Sequence, residues 1–384
     1  MSVVTVPGAA AGGARGSQMV LGVLALAGAA AFLHGIFQAD ATRAWGIYLV
    51  NLLFWSSFAI TGPALAAMMQ LTEARWSPTV KRMALTTSGF LPVSFVLLLV
   101  LLAFGIGTLY PWVNDPQLVV KKKEWLNVPF FVLRTGIGAA LLYWVAWTFT
   151  RAVFAEATPN EPAGMGRRNR LAGTLLALYV IVLSLWGFDL LMALDPAWYS
   201  GLFGGYYVVT SLYPGFGLVT FLTIRANARG LTSVSPSAIQ DVAKLTFAMC
   251  VMWMYFFFSQ YLVIWYGNVP VETRFFLRRF FADPWRTLAW VILIVGALVP
   301  FSYLLKRLTG RPPTAHKPLI VIIFMGWTAI FLERIMVVFP SISKANVWPI
   351  GIAELLITAG FFALFVLMRG RFLDRYGPLL RQER

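Results

Sequence analysis

The sequence predicts an all-α integral membrane protein of ten transmembrane helices. Two observations of composition predict it: 59% of the 384 residues are hydrophobic, and only 12% are charged, about half the share typical of soluble domains, with a mean hydropathy of +0.75. The third is spacing, because apolar runs long enough to cross about 30 Å of hydrocarbon as helix recur along the chain. No connector much exceeds about 20 residues, too short for an independently folded domain. Residues 18–369 therefore read as one membrane domain between an amino-terminal tail, 1–17, and a basic tail, 370–384.

The run 18–38 is longer than a signal-peptide core and follows a Gly/Ala-rich tail whose one arginine is Arg15, so it reads as an uncleaved first helix. Runs 45–71, 84–109, 126–150 and 171–194 supply helices 2 to 5. Runs 201–224, 243–266, 285–305 and 318–339 supply helices 6 to 9, and 347–368 supplies the tenth. Most prolines lie near helix ends; Pro63 and Pro214 do not. Trp45, Tyr48, Tyr110, Trp112, Trp265, Tyr266 and Trp348 gather at one set of helix ends, as an interfacial belt does. The Gly201/Gly205 spacing is a helix-packing signal too common by chance to carry function.

Orientation follows from the basic residues. The two tails and the even-numbered loops hold 20 of the 31 Lys and Arg, against nine in the odd-numbered loops, which predicts that both termini face the cytoplasm. Topology thus accounts for the net charge of +16, and no nucleic-acid partner is implied.

Composition also excludes chemistry. A lone cysteine, Cys250, rules out an intrachain disulfide, a four-thiolate iron–sulfur cluster and a cysteine-rich zinc site. Of the two histidines, His34 lies in an apolar run and His316 in a polar loop, so a bis-histidine haem and a metal site are not expected.

Ionisable groups within the spans cost at least ~2.5 kcal/mol each on insertion scales and are functional candidates. They are His34, Arg134, Asp189, Glu333, Arg334 and Glu354. Counted from the run ends, these candidates lie on the order of 6 to 12 Å below the outer ends of their helices, at one depth. Glu333 and Arg334, as helix neighbours about 100° apart, are expected to find separate partners on other helices. The inner half supplies hydroxyls such as Thr148, Thr220 and Ser302, with Glu73 and Asp241 only guarding the inner rim.

Three stretches go beyond generic membrane character: SLWGFDLLMALDPAWYSGLFGGYY (184–207), WMYFFFSQYLVIWYGNVPVET (253–273) and WLNVPFFVLR (125–134), supported by LTEARWS (71–77) and ERIMVVFPS (333–341). Together they resemble the F subunit of alternative complex III, within the polysulfide reductase/NrfD-type membrane subunits, from about residue 45 to 368. The resemblance implies two four-helix bundles, helices 2–5 and 6–9, flanked by helices 1 and 10. It implies no redox cofactor on this chain, a sister C subunit that oxidises quinol or menaquinol, and iron–sulfur and haem c subunits that carry the electrons. The F subunit itself is a candidate proton path. In the family a glutamate commonly follows the basic pair that starts helix 3; here KRMALTTSG puts Leu85 there. That departure, with the missing inner carboxylate, predicts no cytoplasmic proton entrance.

The leading reading is a membrane subunit of a quinol-oxidising complex in a bacterial inner membrane, whose outer polar cluster conducts protons or contacts a quinone. His34 and Asp189 are expected to exchange the proton, because an imidazole titrates near neutrality and an apolar setting raises a carboxylate towards it. Arg134 is expected to hold a carboxylate ionised, with Glu333 and Glu354 continuing the path. A secondary transporter, whose site would sit at the midplane on broken helices, and a purely structural anchor favoured by closed ion pairs are the alternatives.

Overall fold

A computed structural model of the chain describes residues 10–38, 40–74, 78–156, 164–309, 316–343 and 347–377, apart from the side chains of 10–15, 308 and 309. Among these residues ten helices are long and apolar enough to cross a membrane. They are α1 (Gly16–Gln38), α2 (Ala41–Leu71), α3 (Pro78–Leu109), α4 (Val128–Phe154), α5 (Met165–Leu194), α6 (Phe203–Ala228), α7 (Pro236–Gly267), α8 (Trp285–Arg307), α9 (Lys317–Ile342) and α10 (Ile352–Tyr376). No strand occurs among the described residues, in keeping with a solvent where each backbone polar group must be paired within its own segment. An amphipathic helix, Pro270–Phe280, links α7 to α8.

Helices α2 and α6 form the centre. Of the most apolar stretch of each, 94% is buried, against 6% in α1. Around α2 pack α3, α4 and α5, and around α6 pack α7 and α9, with α8 closing against α7 and α9. The two bundles meet where α2 lies on α6 and α9. Helices α1 and α10 stay outside both, packed on one another and each on α2, with α10 also on the first part of α3. Close crossings are set by glycine, because association in lipid depends on van der Waals contact. A Cβ at Gly28 of α1 would stand 2.8 Å from the Gly360 Cα of α10, so neither position admits a side chain without separating the helices.

Pro63 and Pro214 sit in continuous helices. Pro63 has no N–H for the Ala59 carbonyl, and Thr87 of α3 donates its Oγ1 hydrogen there instead, at 3.0 Å. Three π turns, Leu101–Gly105, Gly187–Leu191 and Ile294–Leu298, interrupt α3, α5 and α8.

The spans are longer than their apolar runs. Lys81 and Arg82 belong to α3, and Asp241 and Lys244 to α7. At the other extreme α10 starts at Ile352 and not at 347, because the stretch before it, which contains Pro349, is not helical. Arg75, Arg311, Lys344, the end of LTEARWS and the last seven residues of the basic tail lie outside the described residues.

Candidate functional site: a polar core with carboxylates at both ends

Two of the three sequence stretches that carry the resemblance meet at Asp189. Its carboxylate lies in the π turn of α5, fully buried, and receives both arms of the Arg134 guanidinium of α4: Nε to Oδ2 at 2.8 Å and Nη2 to Oδ1 at 2.7 Å. Trp125 adds an indole donor to Oδ1 at 3.3 Å, and its carbonyl accepts from Arg134 Nη1. The guanidinium also stacks over the Trp125 ring, 3.9 Å from its centre. A π turn adds one residue to the helical repeat and re-aims the side chains after it, and such turns recur at functional sites. The result is a bidentate, charge-assisted pair.

Glu333 and Arg334 form a second pair, in α9. Contrary to the expectation of separate partners, Arg334 Nη1 donates directly to Glu333 Oε2 at 3.1 Å. Adjacent helix positions diverge at Cβ, but the long guanidinium arm turns back and spans the gap. Each residue also reaches α6: Arg334 Nη2 donates to Thr210 Oγ1 at 2.7 Å and its guanidinium covers the Tyr207 ring, while Tyr206 neighbours the Glu333 carboxylate. Trp253 of α7 donates to the Tyr206 hydroxyl at 3.4 Å. The remaining quoted stretch and ERIMVVFPS thus converge here.

The other two expected members lie elsewhere. Glu354 is the third residue of α10 and not deep in a span; it accepts from the Gly351 N–H at 2.7 Å as a helix cap and from Arg43 Nη2 at 2.9 Å. Beside this pair a cavity of about 370 Å³ opens among Asp40, Arg43, Trp285, Phe339 and Trp348. His34 is exposed on the outer surface of α1, facing away from the bundles, and joins no polar group among the described residues. Apolar all round, α1 carries no signal of which face turns inward. The six candidates therefore occupy four places, two of them as pairs, and do not form one cluster.

The opposite end of the first bundle, where α3 and α5 begin, holds a carboxylate that sequence reasoning missed. Glu156, two residues beyond α4, reads as a loop residue, yet it is buried. It pairs with Arg168 of α5 at 2.8 Å and stands 4.0 Å from Lys81 of α3. Lys81 donates to Gln70 Oε1 at 3.1 Å, and Gln70 donates to Asn169 at 2.7 Å. The visible signal was basic residues at the starts of two helices facing one acid, which only proximity turns into a site. Asp241, by contrast, does sit at the rim, paired with Lys244, and Glu73 is exposed at the end of α2.

Between the two ends runs a belt of hydroxyls. Ser94 of α3 bridges Tyr143 of α4 (2.9 Å) and Ser56 of α2 (2.6 Å). Thr150 of α4 meets Ser88 of α3 at 2.9 Å. Ser57 joins Ser211 across the bundle boundary at 3.0 Å, and Thr61 joins Tyr179 at 3.0 Å. All of these side chains are buried. Along the α4 chain, then, Arg134, Tyr143, Thr150 and Glu156 follow at intervals of roughly 9 to 14 Å of helix rise, from one face of the membrane to the other.

Outside the spans, burial lowers the Lys122 ammonium below the usual lysine range while the Asp195 carboxylate opposes the shift. Lys122 donates to the Pro196 carbonyl at 2.8 Å. Burial lowers Arg279 as well, again opposed by Asp195. Among the described residues no group of three or more His, Cys, Asp or Glu is arranged to hold a metal ion. No protein-family model matches the chain, and no curated protein matches it either.

Proposed function

We propose that this chain is a membrane subunit of a quinol-oxidising electron-transfer complex in a bacterial cytoplasmic membrane, with both termini inside, and that its own task is to conduct protons. The electrons would pass through partner subunits, a sister quinol-oxidising subunit and iron–sulfur and haem c carriers, and not through this chain. The resemblance of the quoted stretches supports the complex. One observation carries the proton reading: α4 brings a titratable or hydroxyl-bearing group to successive depths, with Asp189 at one end and Glu156 at the other. Glu156 supplies the inner carboxylate whose absence had argued against a cytoplasmic entrance. Water would have to bridge the rungs, since a hydroxyl passes a proton only to a group within about 3 Å.

The test is Tyr143→Phe in sealed proteoliposomes under an imposed pH gradient. The change removes one hydroxyl midway and nothing else, so dye-detected proton flux should fall about ten-fold. Unchanged flux would end the proton reading.

A structural anchor is the second reading, favoured by the pairing of Arg134 with Asp189 and of Arg334 with Glu333. Transport on broken helices has less support, because α2 and α6 run unbroken through Pro63 and Pro214.

A further inference from the structure

The amphipathic linker helix carries more positive charge than its packing needs. Pro270–Phe280 buries Phe275, Phe276 and Arg279 against the bundle and turns Arg274 and Leu277 outward, with Phe281, just past its end, 65% exposed. From Phe281 a groove of about 450 Å³ runs between α7 and α8, lined also by Phe257, Tyr261, Trp290 and Leu293. Arg286, the second residue of α8, is the one charged residue among the described residues that line it. Phe257 lies ten residues before the end of α7 and Leu293 seven beyond Arg286, so the groove descends about 10 to 15 Å into the apolar layer from a charged mouth.

Charge and shape together select the occupant. The rim sets three arginines, Arg274, Arg278 and Arg286, against one acid, Asp283, while Glu272 lines a different cavity with Tyr199 and Gln260. Arg274 and Arg278, four residues apart, share a helix face with Phe281 three further on, which places both above the groove. Arg286 gives Nη2 to Asp283 at 2.6 Å, engaging one of five guanidinium N–H groups, and both partners of this pair are about half exposed, so the contact exchanges readily. The planar fork that remains matches phosphate oxygens. A soluble anion would leave the apolar groove empty, and a hydrocarbon tail alone would leave the arginines unmet. A zwitterionic headgroup would set its ammonium among the arginines; an anionic headgroup meets no such repulsion.

We propose that the linker helix and the α7–α8 groove form one binding site for an anionic phospholipid, its phosphate held by Arg286 and Arg278 and one acyl chain lying in the groove between the Phe257 and Trp290 rings. The site is independent of the proton column, which lies in the other bundle, and of any quinol.

The full chain in phosphatidylcholine nanodiscs is given a trace of phosphatidylglycerol or of phosphatidylcholine, each with the same diazirine-bearing acyl chain, and after irradiation the labelled peptides are identified. The phosphatidylglycerol probe is expected to label the segments around Phe257 and Trp290 about five-fold more than the phosphatidylcholine probe, an excess removed by unlabelled phosphatidylglycerol. Arg278→Gln/Arg286→Gln should abolish this preference while the labelled segments stay the same. Leu293→Trp, which fills the groove from its lipid side, should remove the label of both probes. Both variants are scored by elution profile, so if one does not fold the other decides. Equal labelling of these segments by the two probes in the wild type, a preference that survives in the folded double variant, or label spread evenly over the lipid faces of α1 and α9 would each overturn the proposal. Elution as a dimer with the groove unlabelled would also overturn it, by assigning the groove to a second copy of the chain.

Discussion

Arg279 supplies the hydrogen bond that Pro340 cannot make. Without an N–H, Pro340 leaves the Met336 carbonyl of α9 unpaired, and Arg279 Nε reaches it at 3.0 Å from the amphipathic linker helix. The same guanidinium donates to the Val337 and Phe275 carbonyls and to Ser341, and lies 3.4 Å from the centre of the Phe275 ring, which stacks on Trp198 at 3.7 Å. One buried cation thus ties the linker helix, the loop after α5 and the end of α9 together.

Arg279→Ala should therefore destabilise the protein by about 3 kcal/mol or more, since several buried acceptors lose their donor at once. Thermal unfolding in detergent measures it. Arg279→Lys should recover only part, because an ammonium cannot match the planar fork. A variant as stable as the wild type would show that water replaces the guanidinium.

Asp189→Asn separates structure from proton traffic. An amide keeps the shape but leaves Arg134 as a buried charge without a counterion, so stability should fall by about 3 kcal/mol. In Arg134→Met/Asp189→Leu the charges are gone together, and stability should return to within about 1 kcal/mol of wild type. Proton flux should stay low in both. Wild-type flux in the stable double variant would assign the pair to structure alone.

Glu156→Gln should impair proton access from the Glu156 face. The carboxylate is buried between Arg168 and Lys81, and its replacement by an amide removes the buried titratable group at the foot of the column. Flux driven from the Glu156 face is expected to drop about ten-fold, measured in oriented proteoliposomes. Equal flux in variant and wild type would place the entrance elsewhere.

Orientation is testable with single cysteines, because the one native thiol, Cys250, is fully buried and gives no background. Lys123→Cys, exposed on the loop before α4, should react with a membrane-impermeant maleimide from outside intact cells. Arg167→Cys, exposed at the start of α5, should react only after permeabilisation. The reverse pattern would exchange the inner and outer ends of the column.

The amino-acid sequence by itself determined the ten spans, their order and which of them carry charge, because crossing a bilayer demands about 20 apolar residues in a row, a strictly local property. It also marked Arg134, Asp189, Glu333 and Arg334 as buried, since an ionisable residue deep in an apolar run has no route to water. Tertiary structure alone decided the partners. Arg43 and Glu354 are 311 residues apart and meet only because α10 folds back beside α2. Glu156 becomes a buried acid only when the starts of α3 and α5 close over it, and His34 becomes peripheral only because α1 packs on α10 by its glycine face. Hydropathy reports whether a helix enters the membrane; which of its faces meets another helix depends on the neighbours, and neighbours are chosen by packing.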